Sequence, residues 1–325
     1  MKTNKRITRA YCVELEKELA IVAARREYLS LEPPRARFTF LCTNEECRRL
    51  DAKITGVNYD LNPQETTILQ AAHFRANPKD EHCPTCEWIE HGSSGDLDRS
   101  RPGETEEEAK VRQAKRKLDD YIDIFDPNLK EKKSGGDRPG NGGDEIDGDG
   151  EGRVARRTST ESNDKPRGPT KTTDLERLVE SYRNAKTLPW EEFNLLTLQV
   201  SGYGVIPLRS YFRHIEAATM GENGCVLFGG GTVKRYGEGF SFNFIDRLAE
   251  KRVSLYVPPD QMKAYRFRRY LKELVIQAEE LRYVTLYTLG HLEENPKGKG
   301  IDLKVEDLRQ IAFVLGPPKT KTETS

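Results

Sequence analysis

Two close cysteine pairs, Cys42-Thr43-Asn44-Glu45-Glu46-Cys47 and Cys83-Pro84-Thr85-Cys86, combine residue type and spacing in a way that a packed core does not need. Thiolates brought together in twos from separate turns make a tetrahedral four-sulfur site, whose geometry and softness suit Zn2+. In the second pair the two intervening residues let both sulfurs face one ion while backbone amides donate to them, and Pro84 stiffens that turn. The first pair is looser. Thirty-five residues separate Cys47 from Cys83, longer than a minimal zinc ribbon, which implies an inserted hairpin. The expected ligands are Cys42, Cys47, Cys83 and Cys86, holding a structural zinc ion.

Three histidines lie nearby in sequence, and a closed site has room for four ligands only. His73 is the alternative ligand, displacing Cys42 or Cys47 in a set of three Cys and one His; otherwise it packs or bonds behind the ligands. His82 and His91 are expected in solvent. The other two cysteines, Cys12 and Cys225, sit in apolar stretches (Tyr11-Cys12-Val13 and Cys225-Val226-Leu227-Phe228) and read as small buried hydrophobes. Three disulfides of a secreted chain are the weaker reading, because Met1-Lys2-Thr3-Asn4-Lys5-Arg6 leads into charged sequence rather than an apolar signal segment. No apolar run is long enough to span a bilayer, so a cytoplasmic protein without membrane contact is expected.

Strands must carry the cysteines to a common point. Ala36–Leu41 alternates as a strand and delivers Cys42 at its end; Ala52–Val57 reads as the returning strand, and Ala71–Ala76 as the next, running toward the second pair. Upstream, residues 9–28 read either as short strands or as one helix, ended by Pro33-Pro34.

With 325 residues, 33% charged, 35% hydrophobic and zero formal net charge, the chain can build two modest domains but not one continuous core. Composition divides it into a zinc-ribbon-like domain over residues 1–91, a disordered charged linker over 92–172, and an α+β domain over 173–325 with a frayed C-terminal tail. The linker carries a helix over 105–125, supported by Glu106/Lys110 and Glu108/Arg112 at i,i+4 and open to a protein partner. Within it, Asp147-x-Asp149-x-Glu151-Gly152 imitates half a calcium loop, but Thr158 stands where a bidentate Glu is required.

In the third part the alternating runs predict strands near 195–200, 224–228, 240–244, 253–257, 283–289 and 301–305. Helices are expected from Thr173 and over Asp260–Leu281. That long helix places Arg266, Arg268, Arg269 and Lys272 on the face opposite its apolar arc, where with Lys297 and Lys299 they could contact phosphates. Gly229-Gly230-Gly231-Thr232-Val233-Lys234 is not a P-loop and reads as a hairpin turn between strands. His214 and His291 lack any catalytic motif around them.

The order of an apolar lead-in, a cysteine pair after an aromatic strand, and then Ala72-His73-Phe74 resembles the zinc-ribbon-like N-terminal region of bacterial competence-protein CoiA-like sequences, over residues 10–91 only. That family carries a CxxC pair and a His-Phe-x-His element, whereas this chain has CxxxxC, Arg75-Ala76 after Phe74, and a further cysteine pair. The resemblance implies a DNA-associated role in bacteria; the family's nuclease residues have no counterpart here. The function expected is therefore a zinc-stabilised, non-enzymatic nucleic-acid-binding accessory protein. A zinc-ribbon adaptor for other proteins is the alternative, and an enzyme of unknown type in the C-terminal part the third.

Overall fold

The computed structural model describes residues 7–61, 72–77, 79–84, 86, 88, 103–118, 120–128, 169–221, 224–296, 298 and 300–319. Residues 129–168, which include about half of the expected linker and the calcium-like run, lie outside this set, as do His91, Lys297 and Lys299. Among the described residues the architecture is mixed α and β with three sheets. Among the described residues no helix is long and apolar enough to cross a membrane.

The chain forms two compact units that interleave in sequence. The first contains residues 1–20, 39–55 and 75–207, and the second residues 21–38, 56–74 and 208–325.

The N-terminal stretch combines the two readings, with strands first and a helix only from Ile21. Strands β1 (Arg9–Cys12) and β2 (Lys17–Ala20) form a hairpin, and helix α1 (Ile21–Ser30) follows. Next come β3 (Phe40–Leu41), helix α2 (Glu45–Arg49), β4 (Lys53–Val57) and β5 (His73–Ala76). The sheet order is β2-β1-β3-β4-β5; β3 and β4 pair antiparallel, but β3 takes up only the last two residues of the expected strand Ala36–Leu41.

The remainder of the first unit is built on α3 (Glu106–Arg116), β6 (Ile124–Phe125), β7 (Lys171–Thr172), α4 (Leu175–Ala185), α5 (Trp190–Leu195), β8 (Thr197–Val200) and β9 (Gly204–Pro207). Helix α3 starts at a reciprocal capping box, Thr105 with Glu108. Glu108 is thereby committed to the cap, and Arg112 pairs instead with Glu104 at 2.7 Å, so the expected Glu108/Arg112 pair is replaced. Ala109 and Ala114 are buried, so one edge of the helix is packed.

In α4, Arg177 is only 2% exposed and makes a two-pronged contact with Asp120 at 2.8 and 2.9 Å. Removing the carboxylate takes its two-pronged charged partner from a buried guanidinium. Asp120→Ala is expected to destabilise by about 2–3 kcal/mol, below the full cost of breaking a buried pair because Asp120 itself keeps some solvent. Urea unfolding followed at the α4 tryptophan-bearing neighbour, Trp190, reads this out.

The second unit centres on one large sheet of eight strands among the described residues. Its strands are β10 (Phe212–His214), β11 (Val226–Tyr236), β12 (Gly239–Leu248), β13 (Lys251–Val257), β14 (Val284–Thr288), β15 (His291–Glu294), β16 (Ile301–Lys304) and β17 (Ile311–Leu315). Their order is β15-β16-β13-β12-β11-β14-β17, with β10 parallel beside β11. Short helix α6 (Leu208–Tyr211) leads into β10.

Gly229, Gly230 and Gly231 are not a turn but the middle of β11; the hairpin reverses at Gly237, which has φ +60°. Two of these glycines are required by packing. A Cβ on Gly231 would lie 2.4 Å from the Phe242 ring, and one on Gly229 would lie 2.9 Å from both Phe244 and Ile215.

The expected long helix is two: α7 (Pro259–Ala264) and α8 (Arg268–Glu279), broken where Tyr265 turns extended. Its apolar arc holds as read. Phe267, Tyr270, Leu271, Leu274, Val275, Ala278 and Leu281 are all buried.

Candidate metal centre

Local hydrogen bonding explains how each cysteine is placed. Asn44 caps α2, its Oδ1 accepting from the amides of Glu46 and Cys47, and this sets Cys47 in the first turn. The helix is short because Asp51 takes a left-handed φ of 55° and Ala52 N–H then donates to Cys47 C=O at 3.0 Å. Cys42 N–H donates to Ala52 C=O at 2.9 Å, so Cys42 and Cys47 close a tight loop between β3 and β4.

The second segment is fastened from three sides. Asp80 accepts from Lys53 N–H at 3.0 Å and from Asn77 Nδ2 at 2.9 Å, Cys86 N–H donates to Cys83 C=O at 3.0 Å, and the buried Trp88 Nε1 donates to Thr43 Oγ1 at 2.8 Å. The Trp88 bond ties the residue after Cys42 directly to the residue two beyond Cys86. On the other side of α2, Arg48 lies over the Tyr11 ring at 4.3 Å.

One donor atom from each of Cys42, Cys47, His82 and Cys86 lies within 4.8 Å of the other three, so this group could hold a metal ion. Cys42 Sγ and Cys86 Sγ are 3.7 Å apart, and His82 Nδ1 is 3.3 Å from Cys86 Sγ. Zn–S bonds of about 2.3 Å in a tetrahedron put sulfurs about 3.8 Å apart, so the Cys42–Cys86 edge already has the span that one ion needs. Cys42, Cys47 and Cys86 are buried, and none of the six cysteines is in a disulfide.

Cys83 is placed beside the group rather than within it. Its Sγ is 3.1 Å from Cys47 Sγ, it is half-buried, its thiol donates to Asn44 Oδ1 at 3.3 Å, and its backbone N–H donates to Cys47 Sγ at 3.2 Å. His82, expected in solvent, is half-buried against Cys86, and its Nε2 is buried without a hydrogen-bond partner among the described residues. His73 lies on β5 and is not part of the group.

The thiols are electrostatically uneven. The hydrogen bond from Cys42 chiefly lowers Cys86, to about 5 from an ordinary 9.0, against the opposing effect of burial and with help from the Trp88 amide, Cys47 and His82. The same Cys42–Cys86 contact, together with burial, drives Cys42 the other way, well above the thiol range. Burial and the Cys83 thiol push Cys47 up to about 12. The cluster thus concentrates negative charge on Cys86, the thiolate around which a cation would gather the rest. Cys12 behaves differently. It is fully buried, burial raises it to about 11, and its thiol lies 3.4 Å from Glu14: a core residue, as read.

The basic arc of α8 is accounted for inside its own unit. Arg266 pairs with Glu27 at 3.0 Å, Arg269 with Glu32, and Lys272 with Glu238 at 3.0 Å, while Arg268 reaches the Lys263 carbonyl at 3.4 Å. Arg35 and Glu273 add a further pair between the α1 segment and α8. Two of the carboxylates, Glu27 and Glu32, come from α1 and the turn after it.

No family model, no curated protein and no solved structure matches this chain.

Proposed function

We propose that the cysteine cluster holds a structural zinc ion, that it fixes a zinc-ribbon-like region in the first unit, and that the protein works as a non-catalytic binding adaptor whose partner is a protein. The observation that carries the reading is the convergence of Cys42, Cys47 and Cys86 with His82 within 4.8 Å. Thiolate sulfur with imidazole is the donor set of structural zinc, and no carboxylate, the usual ligand of hard cations, belongs to the group.

The preference for a protein partner over nucleic acid rests on the α8 arc. Three of its four expected phosphate contacts are engaged with carboxylates of the same unit, and phosphate would have to displace them. Exposed ion pairs are individually weak, so this argues by charge balance rather than by strength.

Metal analysis of the purified protein should give one zinc per chain. Retention on immobilised DNA or RNA should be weak at moderate salt, and alanine at Arg266, Arg268 and Arg269 together should leave it unchanged. Strong retention that falls steeply with salt, and falls further in the triple variant, reverses the choice of partner and restores the nucleic-acid reading.

A further inference from the structure

We propose that the metal is coordinated by Cys42, Cys47, His82 and Cys86, and that Cys83 stays outside the coordination sphere as a thiol that remains chemically reactive in the metal-loaded protein. This rests on the metal reading above and replaces the four-sulfur set that spacing alone suggests.

Five donors compete for four positions, and three observations sort them. The first is mutual reach: Cys42, Cys47, His82 and Cys86 place a donor each within 4.8 Å of all the others, and Cys83 is not one of the four. The second is commitment. Cys83 Sγ donates its proton to Asn44 Oδ1, an acceptor fixed in place because the same oxygen caps α2. Every ligating thiol loses its proton, Cys42 with its bond to Cys86 included, but the Cys83 bond runs to an oxygen outside the group, and ligation by Cys83 would also bring its sulfur, 3.1 Å from Cys47, out to the wider edge of a zinc tetrahedron, about 3.8 Å.

The third observation is the imidazole. A ring nitrogen buried without a partner is rare in folded proteins and calls for an ion or a water to complete it. His82 has one such nitrogen, Nε2, while Nδ1 stands 3.3 Å from the Cys86 sulfur. A ring in contact with Cys86 whose other nitrogen has no partner among the described residues has a position that an ion can complete.

Cys83 then contributes through its backbone. Its N–H donates to Cys47 Sγ at 3.2 Å, the kind of amide contact that supports a metal-bound thiolate, and this does not need the Cys83 side chain. The side chain is half-buried where Cys42, Cys47 and Cys86 are at most 2% exposed. It is therefore the thiol of the cluster that a soft electrophile or a small-molecule disulfide can reach. With a disulfide the thiol gives up its proton, its sulfur bonds to one sulfur of the reagent, and the other sulfur leaves as a thiolate.

The test uses the full chain loaded with Co2+ or Zn2+. The thiolate-to-cobalt charge-transfer band is expected at the intensity of three thiolates, unchanged in Cys83→Ser. His82→Gln should lose metal affinity by about 10–100-fold or more, since even residues behind the ligands are worth that much. Alkylation of the unaltered, zinc-loaded protein, followed by mass spectrometry, should modify Cys83 while Cys42, Cys47 and Cys86 are protected; this arm holds even if a variant does not fold. A four-thiolate band that drops by one thiolate in Cys83→Ser, or zinc protection of Cys83 equal to that of its neighbours, overturns the assignment while leaving the metal reading intact. Failure of the unaltered chain to take up either metal overturns the metal reading, and this assignment with it.

Discussion

Stripping the metal with a strong chelator at neutral pH is expected to unfold the Cys42–Cys47 loop and the Cys83–Trp88 segment. The protein contacts of the segment among the described residues include the buried hydrogen bond from Trp88 to Thr43, the Asp80 contacts to Lys53 and Asn77, and the Cys83 bonds to Cys47 and Asn44 beside the short helix α2. A structural zinc ion contributes about 10–16 kcal/mol to the fold around it, whereas net hydrogen bonds contribute about 1 kcal/mol each, so the ion outweighs them together. Amide hydrogen exchange reports the effect residue by residue. The amides of Cys42 and Ala52, both hydrogen-bonded across the loop, should exchange slowly in the loaded protein and orders of magnitude faster after chelation. Amides of β11 paired to β12 serve as the internal reference. Undiminished protection at Cys42 and Ala52 after complete metal removal would show that the protein contacts suffice.

Acid should produce the same loss by a different route. Zinc binds deprotonated sulfur, so each ligand thiol must release a proton to bind and regains it when the metal leaves. Metal-dependent stability is therefore present at neutral and alkaline pH and is lost as pH falls and protons outcompete the ion. Among the thiols Cys86, already lowered to about 5, should hold its charge furthest into the acid range. Co-titration of released zinc and amide protection checks that the two are one event.

How far the sequence led can be judged at particular residues. Cys42, Cys47 and Cys86 were legible because spacing between cysteines limits where their sulfurs can point, and β3, β4 and β5 because alternation marks which face is buried. His82 was not, since a histidine beside Cys83 gives no periodic signal and its burial depends on how the turn is anchored by Asp80, a contact to Lys53 twenty-seven residues away. The same limit applies to α8: its charged face was readable, but its carboxylate partners Glu27 and Glu32 lie 239 and 237 residues off. Strands β9 and β10 escaped because Gly204-Val205-Ile206-Pro207 and Phe212-Arg213-His214 are too short to show a period and are defined by the neighbours they pair with.

The glycines of β11 offer the second large effect, because their reading as a turn erred for a physical reason that can be tested. Phe240, Phe242 and Phe244 point to one face of β12, and Gly231 sits directly across from Phe244 in the antiparallel ladder. Glycine here makes room for rings rather than for a positive φ. Phe244→Ala alone should cost about 3–5 kcal/mol, the range for emptying a buried aromatic site. Gly229→Ala should cost about 1–3 kcal/mol by overpacking, because its Cβ would meet the Phe244 ring and the Ile215 side chain at 2.9 Å. The double variant should be destabilised by clearly less than the sum, since the new methyl enters space the ring has left. Gly231→Ala with Phe242→Ala should show no such relief. There the Cβ also meets the Asn243 backbone oxygen at 2.5 Å, an atom of the ladder that no side-chain truncation removes. At Gly230, where the nearest atom is 3.9 Å away, alanine should be tolerated and slightly stabilising, by about 0.4–1 kcal/mol, through the less flexible unfolded chain. Chemical denaturation of the five single and two double variants measures the whole pattern. Equal costs at Gly229, Gly230 and Gly231 would mean that backbone freedom, not the rings of β12, is what the three glycines supply.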